Sequence, residues 1–551
     1  MECFKKTFHL QQFVACACLG LLSGAGLPLQ AQQKAEASTP ATAGANPLQE
    51  EGDQTTYTFR VYSQLVLLDV VVRDAKGNLV TGLHRDDFTV TEDDQAQVIA
   101  SFDATVPPAA SSAQPLSIHS TAELDRQQPN APVTIIVLDE LNTTFNEEYF
   151  ARYSLERYLR RQGEALDQPM MLIARSLDRT MVLCDYTTSK SKILQALNHH
   201  LAGNDWRAQN SNFRDVQIGA AFASLLEVAK ATQGHSGHKN LIWIGSGFPS
   251  LQWDSMPIEQ ADALQEAVSK CVDILREARI TLYAIDPGGV SGASGDVDAN
   301  GIIALGNPFD GAVSFDSMVR ATGGDSMHGR NDVDHLIDDA VANGESFYTL
   351  SYRPATPISG DPKEFRRIRV TLKDSSLTAI SRQGYFPSLD NKVAAPLNAQ
   401  GKLTDNAQFD LASASTGLMV FDGVPLTIER NIQEPAKVVL SFPASALGLV
   451  QNGGKLTGDV TLITLSFDRN GKPLSKDGRV VALHLAPLPA GQMEDRKVRI
   501  TTTLNTQLPI ARVRYVLRAN SNGKIGAENL MLVDPATLHD HATGVRTQPA
   551  H

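Results

Sequence analysis

A chain of 551 residues is too long for one hydrophobic core, so three or four domains are expected. Hydrophobic residues make up 42% and charged residues 20%, which excludes a largely disordered protein. The net charge of −12 excludes nucleic acid as the expected partner, because neutralising phosphates takes surplus Lys and Arg, and a mildly acidic balance serves solubility.

Lys5 and Lys6 precede an uncharged Ala-, Gly- and Leu-rich run over 13–27, and small residues follow up to Ala31. That order of basic, apolar and small predicts a secretory signal peptide over 1–31. The apolar run is shorter than the roughly 20 residues of a spanning helix, so cleavage is expected rather than anchoring. The segment before Cys16 or Cys18 is too short to favour a lipoprotein. Cleavage leaves Cys184 and Cys271, both in apolar segments, as buried thiols rather than a bridge. No second apolar run of spanning length follows, and the expected location is extracytoplasmic, periplasmic or secreted.

Residues 32–56 and 107–131 read as linkers from their Ala, Ser, Thr, Gln and Pro content. Between them, 57–106 reads as a small N-terminal β module, with strands over 61–72, 88–91 and 98–102. Residues 132–387 alternate strands and helices. The uncharged run 133–138 suits a strand covered on both faces. Ala151, Leu155, Tyr158 and Leu159 then make a helical stripe, and further stripes run through Phe222 to Ala229, Leu264 to Leu275 and Val333 to Val341. Strands are expected over 170–174, 181–184, 241–244, 280–285 and 347–352, with 366–372 as an added edge strand and 288–311 as a Gly-rich insertion. The pattern predicts a doubly wound, mostly parallel sheet. Over 398–551 the stripes stop, and strands at short spacing with turns at Asn470-Gly471 and Asn522-Gly523 suggest a β-sandwich-like domain.

In an open parallel sheet, ligands gather beyond the carboxyl ends of the strands. The strand over 133–138 ends in Asp139-Glu140-Leu141-Asn142-Thr143. Further landmarks are Thr81-Gly82-Leu83, Asp87-Phe88, Lys239-Asn240-Leu241-Ile242-Trp243, Thr322-Gly323-Gly324 and Arg382-Gln383-Gly384-Tyr385-Phe386. In order and spacing they resemble the VWFA-related domain family seen chiefly in Acidobacteria, over some 60% of the chain. The resemblance implies a von Willebrand A-like fold flanked by the two β modules. It also implies a divalent-cation loop of Asp-x-Ser-x-Ser type, in which Mg²⁺ takes hard oxygen ligands. Asp139 matches the Asp, Thr143 stands for the second Ser, and Leu141 fills the middle position without an oxygen. Ser246 replaces the Asp expected before a Gly in the third loop. The metal set is therefore Asp139, Thr143 and Ser246 for Mg²⁺ or another divalent cation, a degenerate site, weighed against a metal-free loop that only shapes a surface.

Other constellations are thin. Asp296-Val297-Asp298-Ala299-Asn300-Gly301 opens like a calcium loop, but Asn307 stands where a bidentate Glu is needed, so a flexible insertion is favoured. Ile244 and Phe248 replace the glycines of a nucleophile elbow around Ser246. His235 and His238 lack a third zinc ligand and read as a solvated loop, and His199-His200 ends a helix, where histidine suits the dipole. The leading expectation is an exported, non-enzymatic binding or adhesion-type scaffold with a protein or envelope partner, presenting loops at Asp139, Asn212 and Ser246. The alternatives are a purely structural envelope protein and, from another class, a hydrolase using Asp139, Glu140 and Ser246.

Overall fold

The computed structural model describes residues 65–105, 117–176, 180–201, 214–248, 250–289, 307–355, 364–387, 407, 410–411, 414–415, 419–430, 434–452, 455–469, 471–486, 496–504 and 508–532. The expected signal peptide over 1–31, the expected linker over 32–56, Asn212 and the calcium-like run 296–301 lie outside them.

Four strands open the described chain: β1 (Val66–Arg73), β2 (Phe88–Glu92), β3 (Gln95–Gln97) and β4 (Ile99–Thr105). A two-residue turn joins β2 to β3, with Asp93 and Asp94 at φ of 47° and 64°. Asp tolerates this left-handed backbone better than bulkier residues do. The stretch 107–131 is not wholly a linker: helix α1 (Thr121–Gln127) occupies part of it. The Ser120 hydroxyl caps it by accepting from the Glu123 N–H at 3.3 Å, and Ile118 and Leu124 are fully buried beside it. Its polar composition hid two apolar anchors.

The α/β layer follows as β5 (Val133–Asp139), α2 (Phe145–Arg161), β6 (Ala165–Arg175), β7 (Thr180–Ser189), α3 (Lys190–His199) and α4 (Arg214–Ala231). It continues with β8 (Lys239–Ile244), β9 (Leu251–Gln252), α5 (Ile258–Glu277), β10 (Ile280–Ile285), β11 (Ala312–Val313), α6 (Phe315–Thr322), β12 (Ser326–Met327) and α7 (Val333–Glu345). The sheet runs β12-β10-β8-β5-β6-β7 and is parallel except for the antiparallel β6–β7 pair. Period-two alternation sends Ile135, Val137, Leu241 and Trp243 to one face, with Phe222, Val268 and Met318 of α4, α5 and α6. Ile136, Leu138, Ile242 and Ile244 go to the other, with Leu155, Ile193 and Leu336 of α2, α3 and α7.

Strands β13 (Phe347–Tyr352) and β14 (Arg366–Leu372) do not extend this sheet, contrary to the sequence expectation. With β15 (Thr378–Ile380) and β16 (Gly384–Tyr385) they join the N-terminal strands in two antiparallel sheets, β15-β1-β13-β4 and β16-β14-β2-β3. The physical reason is pairing: β13 finds antiparallel main-chain partners on both edges, β1 and β4, and its half-buried Thr349 and buried Ser351 find polar partners there. The Thr349 hydroxyl donates to Asp69 of β1 at 2.7 Å, and Ser351 bonds Ser101 of β4. One core of Leu68, Val70, Phe88, Val90, Tyr348, Leu350, Ile368 and Val370 closes the unit. The N-terminal strands are thus completed by chain from beyond the α/β layer.

The C-terminal strands are β17 (Phe421–Asp422), β18 (Thr427–Arg430), β19 (Lys437–Pro443), β20 (Val450–Asn452) and β21 (Lys455–Phe467), then β22 (Pro473–Leu485), β23 (Lys497–Thr503), β24 (Arg512–Ala519) and β25 (Ile525–Met531). They form the antiparallel order β17-β25-β24-β21-β20, with β22 on β21, and a three-stranded sheet β18-β19-β23. The molecule is therefore mixed α/β, a mostly parallel six-stranded sheet flanked by antiparallel sheets.

Candidate functional site at the carboxyl ends of the central strands

Strand β5 delivers Asp139 to the carboxyl end of the sheet, where the carboxylate turns inward and is only 2% exposed. One oxygen accepts from the N–H groups of Leu141 (3.2 Å) and Asn142 (3.1 Å). The other accepts from the Trp243 indole N–H (3.0 Å) and the Gly247 N–H (3.2 Å). Burial pushes this carboxyl up, against the weaker pull of the Asn142, Trp243 and Leu141 donors. Four protein N–H groups use up the lone pairs a cation would need.

Thr143 lies close by: a Cβ added to Gly245 would meet Asp139 Cβ at 2.5 Å and Thr143 Oγ1 at 2.6 Å. The two loops therefore touch through the bare backbone of Gly245. The Thr143 hydroxyl is buried and has no hydrogen-bond partner. Ser246, between Gly245 and Gly247 at φ of 146° and 62°, is exposed. Asp139 and Thr143 are brought together, and the Ser246 side chain beside them is exposed. As arranged, both Asp139 oxygens are committed to N–H donors and not open to a cation. Among the described residues no group of three or more His, Cys, Asp or Glu side chains is placed to hold a metal ion.

Glu140 points elsewhere. It pairs with His200 at the end of α3, so Asp139, Glu140 and Ser246 do not converge on one point. Glu148, one turn into α2, is buried with one oxygen unpartnered. Burial, then the charge of Glu140, pushes its carboxyl up to about 7. Arg152 spends its guanidinium on the Leu197 and His200 carbonyls, at 2.6 and 2.7 Å.

His235 and His238 are buried rather than solvated, because each fills a separate structural contact. His235 bonds the Ala131 carbonyl at 2.7 Å and His238 bonds Asp69 at 2.9 Å.

Two features of this end of the sheet escaped the sequence. Asp286, just past β10, and Asp316, at the start of α6, flank His328, at 3.9 and 3.2 Å. Their carboxylates push His328 up to about 10. The second feature is an aromatic stripe on α2. A capping box starts that helix: the Glu147 carboxylate accepts from the Thr144 N–H at 2.9 Å and the Thr144 hydroxyl from the Glu147 N–H at 3.5 Å. Its buried face holds Ala151, Leu155, Tyr158 and Leu159. On the opposite face Phe145, Tyr149 and Tyr153 are 60%, 68% and 47% exposed. Their four-residue spacing was the available signal. Beside them an open cleft of about 410 Å³ runs between Asn146, Glu147 and Phe150 of α2 and the 287–289 loop after β10.

No family model and no curated protein matches the chain. A solved structure described as the SpRpn10 VWA domain aligns with 28% of this chain and 89% of that one, at 15% identity and a TM-score of 0.16, too slight a likeness to argue from.

Proposed function

We propose that this chain is an exported protein-binding scaffold of von Willebrand A-like type, which works without catalysis and without a metal. The observation that carries the reading is the row Phe145, Tyr149 and Tyr153, which presents three large aromatic rings to solvent directly after the Asp139 loop. Tyr and other aromatics dominate binding hot spots because they offer large contact area at little entropic cost. Inward-facing Asp139 acts as a brace: it ties the loop from which the row departs to the loop after β8. The family reading rests on the sequence landmarks, and the exported location on the basic, apolar and small order over 1–31.

A photo-crosslinking residue placed at Tyr149 tests this in native envelope. The expected result is one identified protein adduct, which disappears when Phe145 and Tyr153 are changed to Ser and weakens with Asp139→Ala. No adduct, or adducts unchanged in the Phe145→Ser, Tyr153→Ser variant, would sink the proposal. Calorimetric titration with Mg²⁺, Mn²⁺ and Ca²⁺ tests the metal-free part, for which no heat is expected. Heat that is lost in Asp139→Ala would restore a cation to the loop.

A further inference from the structure

At the opposite end of the parallel sheet, where α5 ends and β10 begins, a cavity of about 270 Å³ lies between the α/β layer and β1. Three arginines line it: Arg276 near the end of α5, Arg279 just beyond, and Arg382 from the segment before β16. Segments far apart in sequence build this wall. Gly323, after α6, packs so tightly on the chain at 381–382 that a Cβ there would meet the Arg382 N at 2.4 Å. That contact fixes the backbone from which the guanidinium of Arg382 departs.

The acids in the wall are largely spent on one another's partners. Asp69 accepts from Arg279 Nη2 (2.9 and 3.2 Å), bonds His238 (2.9 Å) and accepts from Thr349 (2.7 Å). Arg276 holds Asp273 by its Nε at 3.0 Å, and Glu277 is exposed at the rim. Arg382 has no carboxylate within ion-pair distance among the described residues, and its Nη2 donates to the Leu67 carbonyl. The Nε groups of Arg279 and Arg382 are both buried and reach no acceptor. Two unpartnered guanidinium N–H groups in the wall of one cavity are costly, since a buried donor left unpaired loses its full hydration.

A structural explanation exists for part of this charge. Helix α5 ends here, and the partial negative charge of its carboxyl end favours nearby cations. It does not account for the two Nε groups, which find no carbonyl. Nor does it account for Arg279 itself, which sits at φ 55° one residue past the helix cap. That left-handed position is usually Gly, and a larger side chain there carries strain.

We propose that this cavity binds a small oxyanion, a carboxylate or phosphate group, held by Arg382 and Arg279 with Arg276 at its mouth. The planar guanidinium fork matches either group, and an anion here would give the buried Arg382 the counter-charge it lacks. Burial, then the neighbouring Arg276, lowers Arg382 to about 10, a repulsion that a bound anion relieves.

Calorimetric titration of the full chain with phosphate and, separately, with succinate tests the site, with chloride as the control salt. Saturable heat is expected with at least one of them, and the responding arm names the ligand class. Arg276→Gln, at a half-buried position, should weaken it at least about tenfold while leaving the circular dichroism unchanged. Arg382→Gln, where it folds, should abolish it. Absence of saturable heat with both anions, or full affinity retained in Arg276→Gln and in folded Arg382→Gln, would overturn the proposal.

Discussion

The oxygens of Asp139 illustrate how far a single residue can be read. Its place at the end of an uncharged strand was legible, because β-branched runs in a parallel sheet announce themselves. The direction of its carboxylate was not, since that depends on the indole of Trp243, 104 residues away. Asp139→Asn puts an amide donor among four N–H donors, so a loss of about 1–3 kcal/mol is expected from urea unfolding. An unchanged midpoint would mean that the brace is idle. His328 gives a residue-scale pH dependence. Its folded pKa, about 10, lies above its ordinary value of 6.5, so its stabilisation is fully present below pH 6.5. The stabilisation is lost as pH rises through about 10. A melting curve followed from pH 6 to 10.5 should fall more in the wild type than in His328→Gln. Parallel curves would show that the Asp286–His328–Asp316 group contributes nothing.

Helices were more legible than strand pairings at the scale of elements. The stripe Ala151, Leu155, Tyr158 and Leu159 needs only local spacing, and α2 appears with those residues buried. Strand β13 was legible as a strand but not as a partner of β1, because pairing is a long-range choice. The same non-locality explains α1, whose Leu124, with Ile118 just before the helix, finds its core only in three dimensions. A fragment of residues 57–131 is therefore expected to lack strand structure by circular dichroism, since β13 and β14 are missing. Adding a peptide of residues 346–387 should restore it. A folded signal from the fragment alone would show that the N-terminal strands are self-sufficient.

Across the whole molecule, the α/β layer and the C-terminal sheets share one apolar cluster, in which Phe222 and Leu225 of α4 belong with Phe421, Ile463 and Val516. Buried polar groups lock the same contact: Asp410 bonds both Lys230 of α4 and Arg518 of β24. Removing that carboxylate breaks the buried ion pairs that join α4 to β24, a change worth several kcal/mol of destabilisation. Asp410→Ala should free the C-terminal sheets first, seen as faster cleavage between 388 and 434 in limited proteolysis and as a split calorimetric transition. A single unshifted transition would show that the apolar cluster alone couples the two parts. The pairing of β1 with β13 also sets a clock for the molecule. Asp69 and its partner Thr349 are 280 residues apart. At a synthesis rate of about 5–20 residues per second, β1 waits on the order of 15 to 55 s for its neighbour to be made. Throughout that interval its Val- and Leu-rich edge has no mate of its own. The newborn chain is exposed to mispairing longest at its front end, where a holding chaperone would have the most to do.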